Sequence, residues 1–308
     1  MCRLSEWAGK INIAGELRTE EPLSLHTTFR VGGPADLYAR PKHEQDVAEL
    51  LRFAAEHDIP HFVLGGGSNI LVSDLGIRGL VIDTTGLRHC AASDTTLNVG
   101  TGLPISEASA FAAEAGLGGL DFIYSMPGSV GGAVWMNARC YDSEIYDVLS
   151  SVTLIEPGGR RVVYTPRPED FGYKRSPFME RPGVMTSVSF ALHRASRDDL
   201  WHRMREHEAD RRSKGHFAAP CAGSVFKNNR SFGRPSGAII DGLGLRGLQR
   251  GGARVSDLHA NIIVNTGTAT ATDIRAVIEH VHREVKRRLG HELEREVLYV
   301  GQWAEDRP

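Results

Sequence analysis

Between Glu44 and His57 the apolar residues Val47, Leu50, Leu51 and Ala54 follow i, i+3, i+4, i+7 spacing, which predicts an amphipathic helix with one buried face. A longer stripe of the same period, Ile274, Val277, Ile278, Val281 and Val285, predicts another near the C-terminus. Helices are also expected from about Ser106 to Ala115, from about Arg197 to Arg212 where the chain is largely polar, and near Gly237 to Leu243. Short apolar runs mark strands: "HFVL" (His61 to Leu64), "ILVSD", "GLVID" (Gly79 to Asp83), "TSVSFAL" (Thr186 to Leu192), "NIIVN" and "EVLYV". In "SVTLIEPGGRRVVY" the residues Pro157, Gly158 and Gly159 separate two β-branched runs, the chemistry of a hairpin. The elements group into three successive α+β units, over 1–88, 89–200 and 201–308.

Composition removes several function classes. The chain has 308 residues, 41% of them hydrophobic, enough for substantial cores. Lys plus Arg number 36 against 38 Asp plus Glu, so no basic field points to nucleic acid and any charged ligand must be met locally. Cys2, Cys90, Cys140 and Cys221 are far apart and form no metal-type pairing, and "WHRMREHEAD" contains no HExxH, so neither a disulfide nor a metal site is expected. The opening "MCRLSEWAGK" lacks the apolar core of a signal peptide, and no run is long enough to span a membrane; a cytoplasmic monomer is the expectation.

Two glycine-rich stretches interrupt the apolar pattern. "LGGGSNILVSD" (Leu64 to Asp74) puts three consecutive glycines after a strand, and "MPGSVGGAVWMNA" clears space again with Gly128, Gly131 and Gly132. Glycine lets a ligand or another backbone touch the main chain. Alone, "GGGSN" fits a tight turn as well as a phosphate loop. It is neither GxGxxG opening a helix nor a GxxxxGK[ST] loop, which argues against a Rossmann site and an ATPase. Two such loops in neighbouring units point to one long phosphate-bearing cofactor.

Taken in order, "TTFRVGGPAD", "LGGGSNILVSD", "SMPGSVGGAVWMNA" and "PCAGSVFKN" make the chain, from about Leu23 to Gly301, resemble the UDP-N-acetylenolpyruvoylglucosamine reductase (MurB) family of peptidoglycan synthesis. The resemblance implies an FAD-binding fold of the vanillyl-alcohol oxidase type, made of two α+β subdomains, with a C-terminal α+β substrate-binding domain whose last strand returns to the active site. FAD would lie along Gly65, Gly66, Gly67, Ser68 and Asn69 on one side and Ser125, Pro127, Gly128, Ser129, Gly131, Gly132 and Asn137 on the other. NADPH would reduce the flavin, and the reduced flavin would reduce the enolpyruvyl group of UDP-N-acetylglucosamine enolpyruvate to give UDP-N-acetylmuramate, a small-molecule reaction with no nucleic-acid or membrane partner.

That chemistry needs a hydride, stabilisation of a developing carboxylate-enolate, and a proton for the adjacent carbon. By resemblance Ser224, in "AGSVFKN", is the proton donor and Glu296, in "EREVLYVG", the glutamate that helps stabilise the intermediate, although Glu292 and Glu294 stand close by in sequence. In "FGYKRSPF", Tyr173 and Ser176 match the family pattern. Lys174 stands where the family usually has arginine, with Arg175 next, so a point charge replaces a bidentate fork unless Arg175 takes over. Lys214, Asn228 and Tyr173 match substrate-binding positions. The lysine substitution keeps a second reading open: a catalytically weak relative that binds flavin or nucleotide-sugar as a sensor. An oxidase on the same scaffold is a third, and no histidine or cysteine for covalent flavin attachment lies in either glycine loop.

Overall fold

The computed structural model describes residues 7–303; Cys2 lies outside them. Contacts divide the chain into two compact units. The first comprises residues up to Glu21, Asp36–Gly66 and Gly79–Ala209; the second comprises Pro22–Ala35, Gly67–Arg78 and the chain from Asp210 onward.

The first unit holds two sheets. One has the order Glu16–Pro22, Pro34–Arg40, Ile77–Asp83, His61–Leu64, with the last two strands parallel. The helix Glu44–Glu56 lays Val47, Leu50, Leu51 and Ala54 into the core beneath it, as their spacing predicts. The other sheet is antiparallel, with the order Arg161–Tyr164, Leu149–Ile155, Val184–Ala191, Thr96–Gly100, Cys90–Ser93. Its core takes in the helices Ile105–Glu114 and Val130–Trp135. Ile155 and Val184 of this second sheet are buried in the core of the first, and for that reason the stretches 1–88 and 89–200 fall largely in one unit.

The second unit is organised by the helix Ala271–Leu289. Its stripe residues Ile274, Val277, Ile278, Val281 and Val285 have no accessible surface. Burial of each stabilises the unit by about 1.5–3 kcal/mol. Thr270 and Asp273 form a reciprocal cap at its start, and Gly290 ends it in a left-handed turn at φ 71°. Asp74, the acid closing "LGGGSNILVSD", adds two acceptors for the first turn, to the Ala271 N–H at 2.8 Å and the Thr272 N–H at 2.9 Å. Phe29, Val31 and Leu71 are buried in the same core, which is why 22–35 and 67–78 group with the C-terminal residues. A three-stranded antiparallel sheet, Gln249–Arg250, Ala253–Val255 and Ile263–Asn265, and a parallel pair, Ile70–Val72 with Leu298–Val300, complete it. Among the described residues no helix is long and apolar enough to cross a membrane.

Candidate active site

In the first unit the two glycine loops press against each other. The first leaves the strand His61–Leu64; the second enters the helix Val130–Trp135, which Ser129 caps by accepting from the Gly132 N–H at 3.2 Å. The same Ser129 oxygen accepts from the Gly66 N–H at 3.3 Å, so one hydroxyl joins both loops. A Cβ on Gly65 would stand 2.5 Å from Ser129 Oγ, and one on Gly66 would stand 2.7 Å from Gly128 Cα. At these two positions the neighbour that excludes a side chain is the protein's own second loop.

Ser129 is 2% exposed and Asn137 has no exposed surface. The Asn137 amide donates to the Gly172 carbonyl at 3.0 Å and accepts from the Tyr146 N–H at 3.0 Å. Both side chains, expected to touch the cofactor, brace the scaffold in this structure: Ser129 Oγ accepts from both loops and the Asn137 amide joins Gly172 to Tyr146. Gly172 begins a tight turn in which Gly172 and Arg175 exchange backbone hydrogen bonds at 3.0 and 3.1 Å and Lys174 is left-handed at φ 54°. The Ser176 hydroxyl donates to the Trp135 carbonyl at 2.6 Å. The helix Val130–Trp135 therefore meets the glycine loops at one end and holds the Tyr173–Lys174–Arg175 turn at the other. On that turn Tyr173 and Arg175 are exposed and Lys174 is half-buried.

Ser125 is left-handed at φ 60°, its N–H donates to Ser106 Oγ at 2.9 Å, and its own hydroxyl oxygen is buried with no partner among the described residues. A buried hydroxyl in this state costs about 1–3 kcal/mol unless a ligand meets it. It is the feature of this region that fits a bound polar cofactor. Pro127 and Gly132 are exposed and Gly128 is half-buried at φ 116°.

In the second unit Ser224, Val225 and Phe226 form the middle of a three-segment ribbon. Ser224 pairs antiparallel with Ile262 and Phe226 with Arg295. The Val225 N–H donates to the Asn261 carbonyl and the Glu296 N–H to the Val225 carbonyl, both at 2.8 Å. Ser224 and Glu296 are thus carried on adjacent segments. The three nearby glutamates separate cleanly: Glu292 is exposed and paired with Lys286 at 2.6 Å, which holds its carboxyl below the usual range, Glu294 is exposed and paired with Lys227 at 2.5 Å, and Glu296 is half-buried. Gly67, left-handed at φ 60°, passes so close to the His26 carbonyl that a Cβ would stand 2.0 Å from its oxygen. Asn69, expected on the cofactor, donates its amide to the Glu296 carbonyl at 3.0 Å, while its backbone carbonyl takes the Leu298 N–H at 3.1 Å. It ties the glycine loop's continuation to the glutamate strand; Ser68 beside it is half-buried.

A cavity of about 290 Å³ in this unit is lined by Ser224, Asn228, Arg246, His259 and Asn261, among others. Asn228 is exposed, and its Oδ1 accepts from the Ser236 N–H at 2.9 Å at the start of the helix Ser236–Gly242. Arg246 forks onto Asp241 and donates to the Asp257 carbonyl at 2.9 Å, bracing two walls of the cavity. Lys214 is exposed and ion-paired with Asp210 at 2.7 Å. His216 lies 5.9 Å from His259, ring centre to ring centre. Burial pushes both imidazoles down, His216 to about 4 with help from the charges of Arg211 and Lys214, so His216 is neutral at pH 7. Neither His259 nor Asn261 was expected from sequence; the only hint is a polar pair in "LHANIIVN" directly before a strand.

Two family models match the chain: an FAD binding domain over residues 35–165, and the UDP-N-acetylenolpyruvoylglucosamine reductase C-terminal domain over residues 215–300. The UDP-N-acetylenolpyruvoylglucosamine reductase of Treponema denticola is 39% identical, the match covering 94% of this chain and 95% of that protein. The same enzyme of Borrelia garinii subsp. bavariensis is 39% identical over 97% of each. Among solved structures, the UDP-N-acetylenolpyruvylglucosamine reductase of Thermus caldophilus matches with a TM-score of 0.77 at 32% identity, over 94% of this chain and all of that one.

Proposed function

The chain belongs to the UDP-N-acetylenolpyruvoylglucosamine reductase family, and from that premise we propose that it is an FAD-dependent oxidoreductase that uses NADPH to reduce UDP-N-acetylglucosamine enolpyruvate to UDP-N-acetylmuramate for peptidoglycan synthesis. The observation that carries the reading is the placement of Ser224 and Glu296 on adjacent segments of one ribbon, with Ser224 on a cavity wall, in a chain that also carries the FAD-binding domain. We place the protein in the cytoplasm as a monomer. We assign 1–88 and 89–200 to flavin binding and 201–308 to substrate binding, with 22–35 and 67–78 packed into the C-terminal core.

The residues fit the cofactor. The half-buried Gly65, Gly66 and Gly128 present peptide groups where the two loops meet, and the Ser125 hydroxyl, with no partner among the described residues, supplies a polar contact. When bound, FAD supplies the hydride that adds to the terminal carbon of the enolpyruvyl group. Negative charge then collects on the substrate carboxylate and the carbon next to it. The Tyr173–Lys174–Arg175 turn offers two cations for that carboxylate, and Asn137 and Ser176 keep the turn in shape. The Ser224 hydroxyl gives its proton to the carbon. Serine is a weak acid in water, so the transfer works because the acceptor is a strongly basic enolate, and water in the cavity then restores the hydroxyl proton. Glu296 stabilises the intermediate by orienting a donor or a bridging water, since a bare carboxylate would repel it.

The test separates two half-reactions under anaerobic conditions. In Ser224→Ala, flavin reduction by NADPH should proceed as in the unaltered protein, while reoxidation by UDP-N-acetylglucosamine enolpyruvate slows by roughly 10²–10⁴-fold, the usual contribution of a positioned general acid. Equal slowing of both steps would remove Ser224 from the proton-donor role.

A further inference from the structure

The ribbon around Ser224 contains one rung that no backbone supplies. Ser224 pairs with Ile262, and the Val225 N–H reaches the Asn261 carbonyl. At Phe226 the partner is instead the Asn261 side chain. Its Oδ1 accepts from the Phe226 N–H at 3.0 Å and its Nδ2 donates to the Phe226 carbonyl at 2.8 Å. A carboxamide offers an acceptor and a donor in one plane, as a peptide group does, so the two bonds copy a rung of an antiparallel ladder. Asn261 is 3% exposed and Phe226 1%, so water does not compete for either bond. The Asn261 N–H in turn donates to Nδ1 of His259 at 3.2 Å, and Ser224, His259 and Asn261 all line the one cavity.

We propose that Asn261 is a positioning residue for proton transfer: by gripping Phe226 through both polar atoms it sets where the Ser224 hydroxyl, two residues earlier on the same extended segment, stands in the cavity. This rests on the reading of Ser224 as the proton donor. Proton transfer requires heavy atoms within hydrogen-bond reach, and a displacement on the order of 1 Å is enough to cost it. The main-chain bonds of Val225 hold the segment between its neighbours, and the paired Asn261 bonds add a restraint on its rotation at Phe226.

Asn261→Asp tests this with almost no change in volume. It keeps an acceptor for the Phe226 N–H but turns the donor into a second acceptor facing the Phe226 carbonyl. Asn261→Ser, smaller and uncharged, is the companion variant. Each is made alone and together with Ser224→Ala, and four quantities are read: bound flavin, flavin reduction by NADPH, substrate affinity, and flavin reoxidation by UDP-N-acetylglucosamine enolpyruvate. The single variants should retain flavin and its reduction, shift substrate affinity little, and slow reoxidation about 100-fold. In the Ser224→Ala background the same changes should slow reoxidation no further, because the group being positioned is gone.

Independent, multiplying effects in the double variants would overturn the proposal, as would reoxidation at the unaltered rate or equal slowing of both half-reactions. Failure of both variants to yield flavin-loaded protein would make Asn261 a folding residue and also overturn it. If Ser224→Ala itself reoxidises normally, the proton-donor reading falls and the positioning role falls with it. If Ser224→Ala is selective and the Asn261 variants are not, the positioning role alone is wrong.

Discussion

The glycine loops of the first unit and the Ser224 ribbon of the second solve different problems with different materials. Around Gly65, Gly66 and Gly128–Ser129 the structure works by removing side chains, so that the backbone of Gly128 and Ser129 can lie 2.7–3.0 Å from where a Cβ on Gly66 would stand. No titratable group takes part. Around Ser224 it works by adding side chains: Asn261 completes a ladder, Asn69 holds the Glu296 carbonyl, and Arg246 braces the cavity. A cofactor retained through many turnovers is served by a rigid backbone surface. A group that must give up a proton needs a hydroxyl held at one height, and that calls for a local framework of hydrogen bonds.

The largest effect expected from breaking this contrast is in the loops. Gly66→Val should give protein that purifies with little or no flavin, because the new side chain meets the backbone of Gly128 and Ser129, which cannot move aside cheaply. The visible absorbance of the purified protein checks this. Ser224→Ala, by contrast, should keep its flavin and fail only in the substrate half-reaction.

The Tyr173–Arg175 turn comes next. Removing the cation that meets the substrate carboxylate forfeits a hydrogen bond to a charged group, about 1.5–3 kcal/mol, or roughly 10- to 150-fold in kcat/KM. Lys174→Ala and Arg175→Ala compared in one assay assign the role. Half-buried Lys174 is the expected answer, and loss confined to Arg175→Ala would reverse it.

A smaller effect concerns pH. His216 is held near 4 when folded and returns to about 6.5 when unfolded. The unfolded chain therefore binds the extra proton first, and the neutral, buried His216 contributes stability that is complete above pH 6.5 and lost as pH falls from 6.5 toward 4. Thermal midpoints across that window should fall less steeply in His216→Asn than in the unaltered protein; equal slopes would mean another group controls it. The smallest effect is expected at Lys214. Its exposed pair with Asp210 is worth at most about 1 kcal/mol, so Lys214→Ala should barely move the thermal midpoint, and any sizeable rise in KM reports a substrate contact.

The same contrast explains what the sequence disclosed. Helices with a clean apolar stripe, such as Glu44–Glu56 and Ala271–Leu289, were legible because burial imposes the period. The glycine loops were legible as places where backbone is approached closely, but the sequence does not say by what. The structure shows the second loop to be part of the answer. Ser129 and Asn137 are polar residues in a suggestive motif, yet their side chains turn inward to the scaffold, an orientation that depends on contacts with Gly66 and Gly172 far away in the chain. Asn261 lay outside every motif for the same reason: its partner, Phe226, is 35 residues distant. The two early segments that join the C-terminal core were not legible, because Phe29, Val31 and Leu71 carry no local mark of where they will be buried.

The measurement that bears most directly on the proposed function is an anaerobic visible spectrum of the purified protein, recorded alone, after NADPH, and after UDP-N-acetylglucosamine enolpyruvate. A flavin band should be present, bleach with NADPH and return when that substrate is added. A protein that neither contains flavin nor can be reconstituted with it, or a bleached band that the substrate fails to restore, would contradict it.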